Sequence, residues 1–265
     1  MFDQLLQAVV LGLIQGLAEW LPISSTAHLI IAERLLGFSA TPLFNVALHV
    51  GTLGVVVLYF RREVAGILSA LRRRDFESEY GRLVPLMAVA TVPTAVLGLL
   101  YVAFLEASLQ AILVIGVTFL VGAGVVYASK AGREDVEHMT YPMAIVVGAA
   151  QGFAVFPGLS RSGVAISTAM LLGLRREGAF RFSFLLSIPA VLGDLAVESY
   201  AQRGQLAVQG MDPVSLLVGL AVAVIAGYFA IRLVARLVTT KRFHYFAFYT
   251  WALGAALIVL FLTGS

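Results

Sequence analysis

Two apolar segments of this chain, residues 27–36 and 164–174, each follow a proline-containing break. As helices they would reach only roughly 15–17 Å, about half of a hydrocarbon core. Backbone groups in lipid must be satisfied within the protein, so a break at that depth is tolerated only where protein or a polar cavity surrounds it. The breaks read "LPISST" (Leu21 to Thr26) and "FPGLSRSG" (Phe156 to Gly163). A half-length helix after such a break predicts a re-entrant hairpin that turns near the membrane midplane.

Longer apolar runs fill the rest of the chain, over about 4–20, 42–60, 83–104, 109–129, 142–156, 179–199, 213–238 and 243–263. With 60% hydrophobic and 12% charged residues, the chain carries about half the charge of a soluble domain. These features predict an all-α polytopic membrane protein, a single integral membrane domain over 1–265. The alternating short segments of an outer-membrane barrel are missing. The net charge is only +3, with arginines clustered between apolar runs, a topology pattern and not a nucleic-acid surface. Without cysteine, thiol chemistry is excluded. The start "MFDQLLQ" has an acid where a signal peptide would be basic, so no cleaved leader is expected.

The basic residues orient the segments. Loop 61–82 holds Arg61, Arg62, Arg72, Arg73, Arg74 and Arg82 and is expected on the cytoplasmic side. If 27–36 and 164–174 do not cross, fifteen of the eighteen basic residues fall on that side. Arg34 and Arg203 fall outside, and Arg161 lies at a hairpin tip. The first hairpin then enters from outside and the second from the cytoplasm. A shift of 136 residues lays 8–37 over 144–173 without a gap, with eleven of 30 positions identical. Shared positions include Gly12/Gly148, Gln15/Gln151, Gly16/Gly152, Ser24/Ser160 and Gly37/Gly173. Similar sequence with opposite entry predicts an inverted-topology repeat, halves about 1–129 and 142–263, whose two re-entrant hairpins meet near the midplane.

The two tips carry the strong intramembrane polar groups. Gln15 and Glu19, four apart, share a helix face. Ser24, Ser25 and Thr26 stand where the short helix starts and read as N-caps, with His28 in its first turn. In the second hairpin Ser160, Arg161, Ser162 and Gly163 occupy the corresponding start. Helix N-termini, hydroxyls and a guanidinium make an anion site, and the planar fork of arginine suits phosphate. Glu19 and His28 are acid–base candidates, and a serine beside a base is a candidate nucleophile. Glu19 is the expected partner of Arg161. Other polar groups read more plainly: the small-xxx-small glycines as helix packing, Asn45 and His49 as a supporting pair, Asp194 and Glu198 as interfacial.

At these residues the chain resembles the undecaprenyl-diphosphate phosphatases, also called bacitracin-resistance proteins. One signature of that family is present as "QGLAEWLPISSTAH" (Gln15 to His28), and the second as "PGLSRSGVA" (Pro157 to Ala165). The resemblance implies an integral enzyme of the cytoplasmic membrane, its pocket opening to the outer face. It implies hydrolysis of a polyprenyl diphosphate to the monophosphate carrier lipid used in wall-polymer synthesis. Glu19, Ser25, His28 and Arg161 are the implied catalytic set. Gln15, Ser24, Thr26, Ser160, Ser162 and Gly163 are in support. Ala165 stands where the family signature has threonine, so one hydroxyl is missing; Ser167 and Thr168 lie nearby in sequence.

On this reading Arg161 and helix N–H groups hold the terminal phosphate while Ser25 attacks phosphorus. Either Glu19 or His28 serves as base, and His28 as nucleophile stays open. No tightly bound cofactor and no dedicated metal site are expected, since one glutamate is too thin a ligand set. A divalent ion, Mg²⁺ or Ca²⁺, would arrive with the diphosphate. The expected partners are that lipid and bulk membrane lipids, not nucleic acid, with a homodimer left open. The rival reading is a transporter or flippase that moves an anionic lipid or small anion with the same hairpins.

Overall fold

The computed structural model describes residues 2–37, 40–104, 111–201 and 212–263; Arg203 lies outside them. Intrahelical hydrogen bonding leaves each apolar run one outcome, and the described residues form eleven α-helices. They are α1 (Phe2–Trp20), α2 (Ser25–Leu36), α3 (Pro42–Tyr59), α4 (Arg61–Arg73), α5 (Leu83–Phe104) and α6 (Ile112–Ala128), then α7 (Tyr141–Phe153), α8 (Arg161–Leu171), α9 (Arg176–Ala201), α10 (Pro213–Thr239) and α11 (Phe246–Thr263). Short 3₁₀ turns extend α6 and open α11. Five helices, α5, α6, α9, α10 and α11, are long and apolar enough to cross a membrane, and α3 joined to α4 across an 83° bend makes a sixth candidate. The chain is a multi-pass, all-α membrane protein.

The charged loop expected over 61–82 is largely a helix. In α4, Val64, Ile67, Leu68 and Leu71 recur at i, i+3, i+4 and i+7, and arginines flank that stripe. Val64 and Ile67 pack on the core while Leu68 and Leu71 stay exposed. A basic amphipathic helix turned sharply off a spanning helix is the form of an interfacial segment. Six arginines in 22 residues hid its period.

Small residues set the packing. Helix α1 lies along α10 and α7 along α5, while α6 pairs with α11 and α3 contacts both α9 and α10. Gly12 and Gly16 sit on the backbones of Gly219 and Ala223; a Cβ on Gly16 would come 2.9 Å from the Cα of Ala223. Gly148 meets the Ala90 carbonyl and Gly152 meets Pro93 and Leu97. Thr94 adds a hydroxyl bond to the Gly148 carbonyl at 2.7 Å. In lipid, where apolar surface gains little by leaving its solvent, such close backbone approach supplies the dispersion that holds helices together.

The short helices are as short as expected, twelve residues for α2 and eleven for α8. Both stop at a glycine in the left-handed region, Gly37 (φ 68°) and Gly173 (φ 93°), which are partners in the internal alignment. The main apolar core contains Trp20, Phe60, Ile166, Met170, Phe184 and Phe243. Ala165 is fully buried in it, so the position where the signature has threonine is a packing position here.

Candidate active site

The two hairpin tips cap each other. Pro22 forbids further helix after α1, so the last carbonyls of α1 need donors from elsewhere. Ser162 Oγ donates to the Trp20 carbonyl at 3.0 Å, and Ser160 Oγ donates to the Leu21 carbonyl at 3.2 Å. In return, Gly158 N–H donates to Ser24 Oγ at 3.0 Å. Gly158 has φ 101°, and a side chain there would strike the Thr118 hydroxyl, which itself donates to the Pro157 carbonyl. Gly163 lets Pro22 in, since a Cβ would lie 2.8 Å from the Pro22 Cβ.

This interlock changes the expected roles of several residues. Ser160 does cap α8, accepting from Gly163 N–H at 3.2 Å. Ser24 does not cap α2: its backbone is left-handed (φ 67°), and no side-chain cap forms there. A non-glycine residue held in that region costs roughly 1–3 kcal/mol, which the surrounding contacts must offset. The first-turn N–H groups of α2 therefore keep their partial positive charge for another acceptor. Ser24, Ser160 and Ser162 commit polar groups to joining the tips, and Gly163 supplies the space for Pro22. Thr26 is exposed and stands outside the network.

The acid–base and nucleophile candidates lie beside that junction. Glu19 is 7% exposed, and one carboxylate oxygen accepts from Gln15 Nε2 at 3.1 Å and from Ser25 Oγ at 2.7 Å. Arg161 Nη2 approaches its other oxygen only to 4.0 Å. The nearer partner of Arg161 is Asp194, at 2.8 Å from the same nitrogen. The interfacial reading of Asp194 is thus corrected: α9 turns this carboxylate toward the hairpin tips. The signal available was an acid inside an apolar spanning helix, five residues after Pro189, which by default faces protein.

His28 donates from Nδ1–H to the Ser24 carbonyl at 2.8 Å, because a carbonyl can only accept. That tautomer leaves Nε2 to accept from the Tyr249 hydroxyl at 2.7 Å, with the two rings stacked 5.7 Å apart. Tyr249 carries no motif, and with Thr250 beside it in mostly apolar α11 nothing in the sequence singled it out. The expected Asn45–His49 side-chain pair is replaced by a bond between His49 Nδ1 and the Asn45 carbonyl, 2.9 Å. The tips are chemically unequal. Val155 stands opposite Glu19 in the internal alignment, and Gln151, the counterpart of Gln15, is buried without a hydrogen-bond partner among the described residues. One hairpin thus supplies hydroxyl and carboxylate, the other the guanidinium.

Fold and geometry together define a helical membrane protein whose two hairpin tips bring a hydroxyl–carboxylate pair beside a guanidinium. Comparison with known proteins agrees. The family described as bacitracin resistance protein BacA matches residues 8–256, and this chain belongs to it. A protein named undecaprenyl-diphosphatase from Carboxydothermus hydrogenoformans is 38% identical over 98% of each chain. Proteins of the same name from Korarchaeum cryptofilum and Alcanivorax borkumensis are 38% and 40% identical, covering 97% and 95% of this chain and 99% and 97% of their own.

Proposed function

We propose that this protein hydrolyses undecaprenyl diphosphate to undecaprenyl monophosphate and phosphate at the junction of the hairpin tips. The names of the relatives supply the substrate. The observation that carries the reaction is the 2.7 Å bond from the Ser25 hydroxyl to buried Glu19, with Arg161 beside it. A hydroxyl held on a base within reach of a cation is what nucleophilic phosphoryl transfer requires; moving a lipid requires no such pair.

Arg161 and the uncapped first turn of α2 take the oxygens of the terminal phosphate. Glu19 accepts the Ser25 proton as Oγ bonds to phosphorus. The bond from phosphorus to the bridging oxygen breaks, and the lipid monophosphate leaves with that electron pair. Water then attacks the phosphoserine. His28 takes the water proton and passes it to solvent, while Glu19 returns its proton to Ser25 Oγ as phosphate departs. The Ser24 carbonyl, accepting from Nδ1–H, keeps the imidazole in the tautomer whose Nε2 can accept, and the Tyr249 hydroxyl orients that nitrogen until water takes its place. Among the described residues no cluster of three or more His, Asp or Glu side chains forms. On this proposal any Mg²⁺ or Ca²⁺ arrives with the diphosphate, whose oxygens are hard ligands for such ions.

The membrane placement belongs to the same proposal: cytoplasmic membrane, the arginine-rich loops inside, the pocket opening to the outer face. So does the inverted repeat of 1–129 and 142–263. It is supported by exchange of helix partners, since α1 lies on α10 as α7 lies on α5, with repeat-related glycines at both contacts. The test is phosphate release by purified protein given a polyprenyl diphosphate. Turnover lost in Ser25→Ala and in Arg161→Ala, both still folded, supports the proposal. Full turnover in either variant overturns it, and lipid movement in vesicles without phosphate release favours the transporter.

A further inference from the structure

Arg161 has two carboxylate neighbours of opposite character. The Glu19 side chain is 4% exposed, is pinned by Gln15 and Ser25, and stays 4.0 Å from Nη2. The Asp194 side chain is 50% exposed and lies 2.8 Å from that same nitrogen. The other terminal nitrogen, Nη1, is buried and takes no hydrogen bond among the described residues. A guanidinium beside a buried site needs a counterion while the site is empty. Glu19 is too far to hydrogen-bond and too tightly held to move. Asp194 accepts the bond, from one nitrogen only and from a half-exposed position that leaves its side chain room to swing away.

We infer that Asp194 is a displaceable counterion of Arg161: it neutralises the guanidinium at rest, yields it to the incoming terminal phosphate, and by returning helps expel inorganic phosphate. The inference rests on the reading of Arg161 as the phosphate ligand. A terminal phosphate outcompetes the carboxylate because it bears more charge and can bridge both Nη1 and Nη2. A phosphodiester, such as the headgroups of surrounding lipids, can also bridge both nitrogens but carries a single charge, so it lacks the charge advantage. Asp194 therefore acts as a positioning residue that also sets specificity, raising the threshold for entry above the phosphodiesters that crowd a bilayer.

The probe is inorganic phosphate, its binding to the purified full-length protein in detergent measured by equilibrium dialysis with radiolabel. Asp194→Asn is expected to bind phosphate about two- to fivefold more tightly than wild type, the size of a single-nitrogen ion pair removed from competition. Asp194→Ser should shift in the same direction, and Asp194→Glu should return to the wild-type value. In turnover, Asp194→Asn should lower KM, strengthen inhibition by phosphate and lower kcat as release slows. A merely structural role would not split KM from kcat in this way. Unchanged or weaker phosphate binding in both Asp194→Asn and Asp194→Ser overturns the inference. Tighter binding in a protein that never cleaves polyprenyl diphosphate would leave Asp194 standing and remove the hydrolase reading.

Discussion

Replacing Glu19 by glutamine separates basicity from geometry. The amide keeps the size of the side chain and one acceptor oxygen, so Ser25 can still donate where it now donates at 2.7 Å. Arg161 is not stranded, because its 2.8 Å pair with Asp194 is neutral on its own. The structural cost is the conversion of charge-assisted hydrogen bonds to neutral ones, about 1 kcal/mol. The catalytic cost is the loss of the base that takes the serine proton, typically 10²–10⁴-fold in rate, or about 2.7–5.4 kcal/mol in activation free energy. In the proposed mechanism Glu19 acts on Ser25 and not on the substrate, so KM should stay within roughly threefold of wild type. Phosphate release at saturating polyprenyl diphosphate measures kcat, and thermal unfolding of the same preparation measures the structural cost. If Glu19→Gln kept more than about a tenth of wild-type kcat, below even the weakest expected base contribution, Glu19 could not be the base. A large loss of thermal stability would instead make it a structural ion.

Three further outcomes follow from the coordinates. Tyr249→Phe removes the hydroxyl bonded to His28 Nε2 at 2.7 Å; kcat should fall about three- to tenfold, one ordinary hydrogen bond's worth, with KM little changed, and a wild-type kcat would exclude Tyr249 from orienting the imidazole. Gly148→Val drives a branched side chain into the Ala90 carbonyl of α5. Overpacking of this kind costs about 1–3 kcal/mol, and an unchanged melting temperature would contradict the described α5–α7 contact. On the polar face, the Glu134 carboxyl is held below its ordinary value of 4.5, chiefly by the hydrogen bond from Arg176 at 2.7 Å and secondarily by Lys241. A depressed carboxylate contributes stability that is full above the unfolded value and is lost as pH falls through the folded one. Wild-type melting temperature should therefore drop as pH falls below 4.5, and Glu134→Gln should remove part of that slope; identical slopes would show that the ion pair carries no stability.

The hairpins and the gathering of Glu19, Ser25, His28 and Arg161 around their tips were legible because lipid leaves a chain little choice. A segment too short to span, a proline break and an arginine between serines are each costly there, and such costs show in the sequence. The serines were legible as helix-start residues, but which groups they bond was not. Ser24 turns from its own helix to Gly158, and Ser162 reaches back to Trp20, because each tip ends with orphan backbone groups that only the other tip can satisfy. Helix α4 escaped notice for another reason: its arginines dominate a window in which the apolar stripe is only four residues.

Local pattern alone decided that this chain would be helical, membrane-embedded and interrupted twice, because the bilayer charges each residue independently for polarity and for unpaired backbone. Tertiary structure alone decided that Asp194, more than Glu19, would neutralise Arg161, and that Tyr249 would hold His28. Those contacts span 33 and 221 positions along the chain, and a Coulomb or hydrogen-bond energy depends on separation in space, about which spacing in sequence is silent once helices pack.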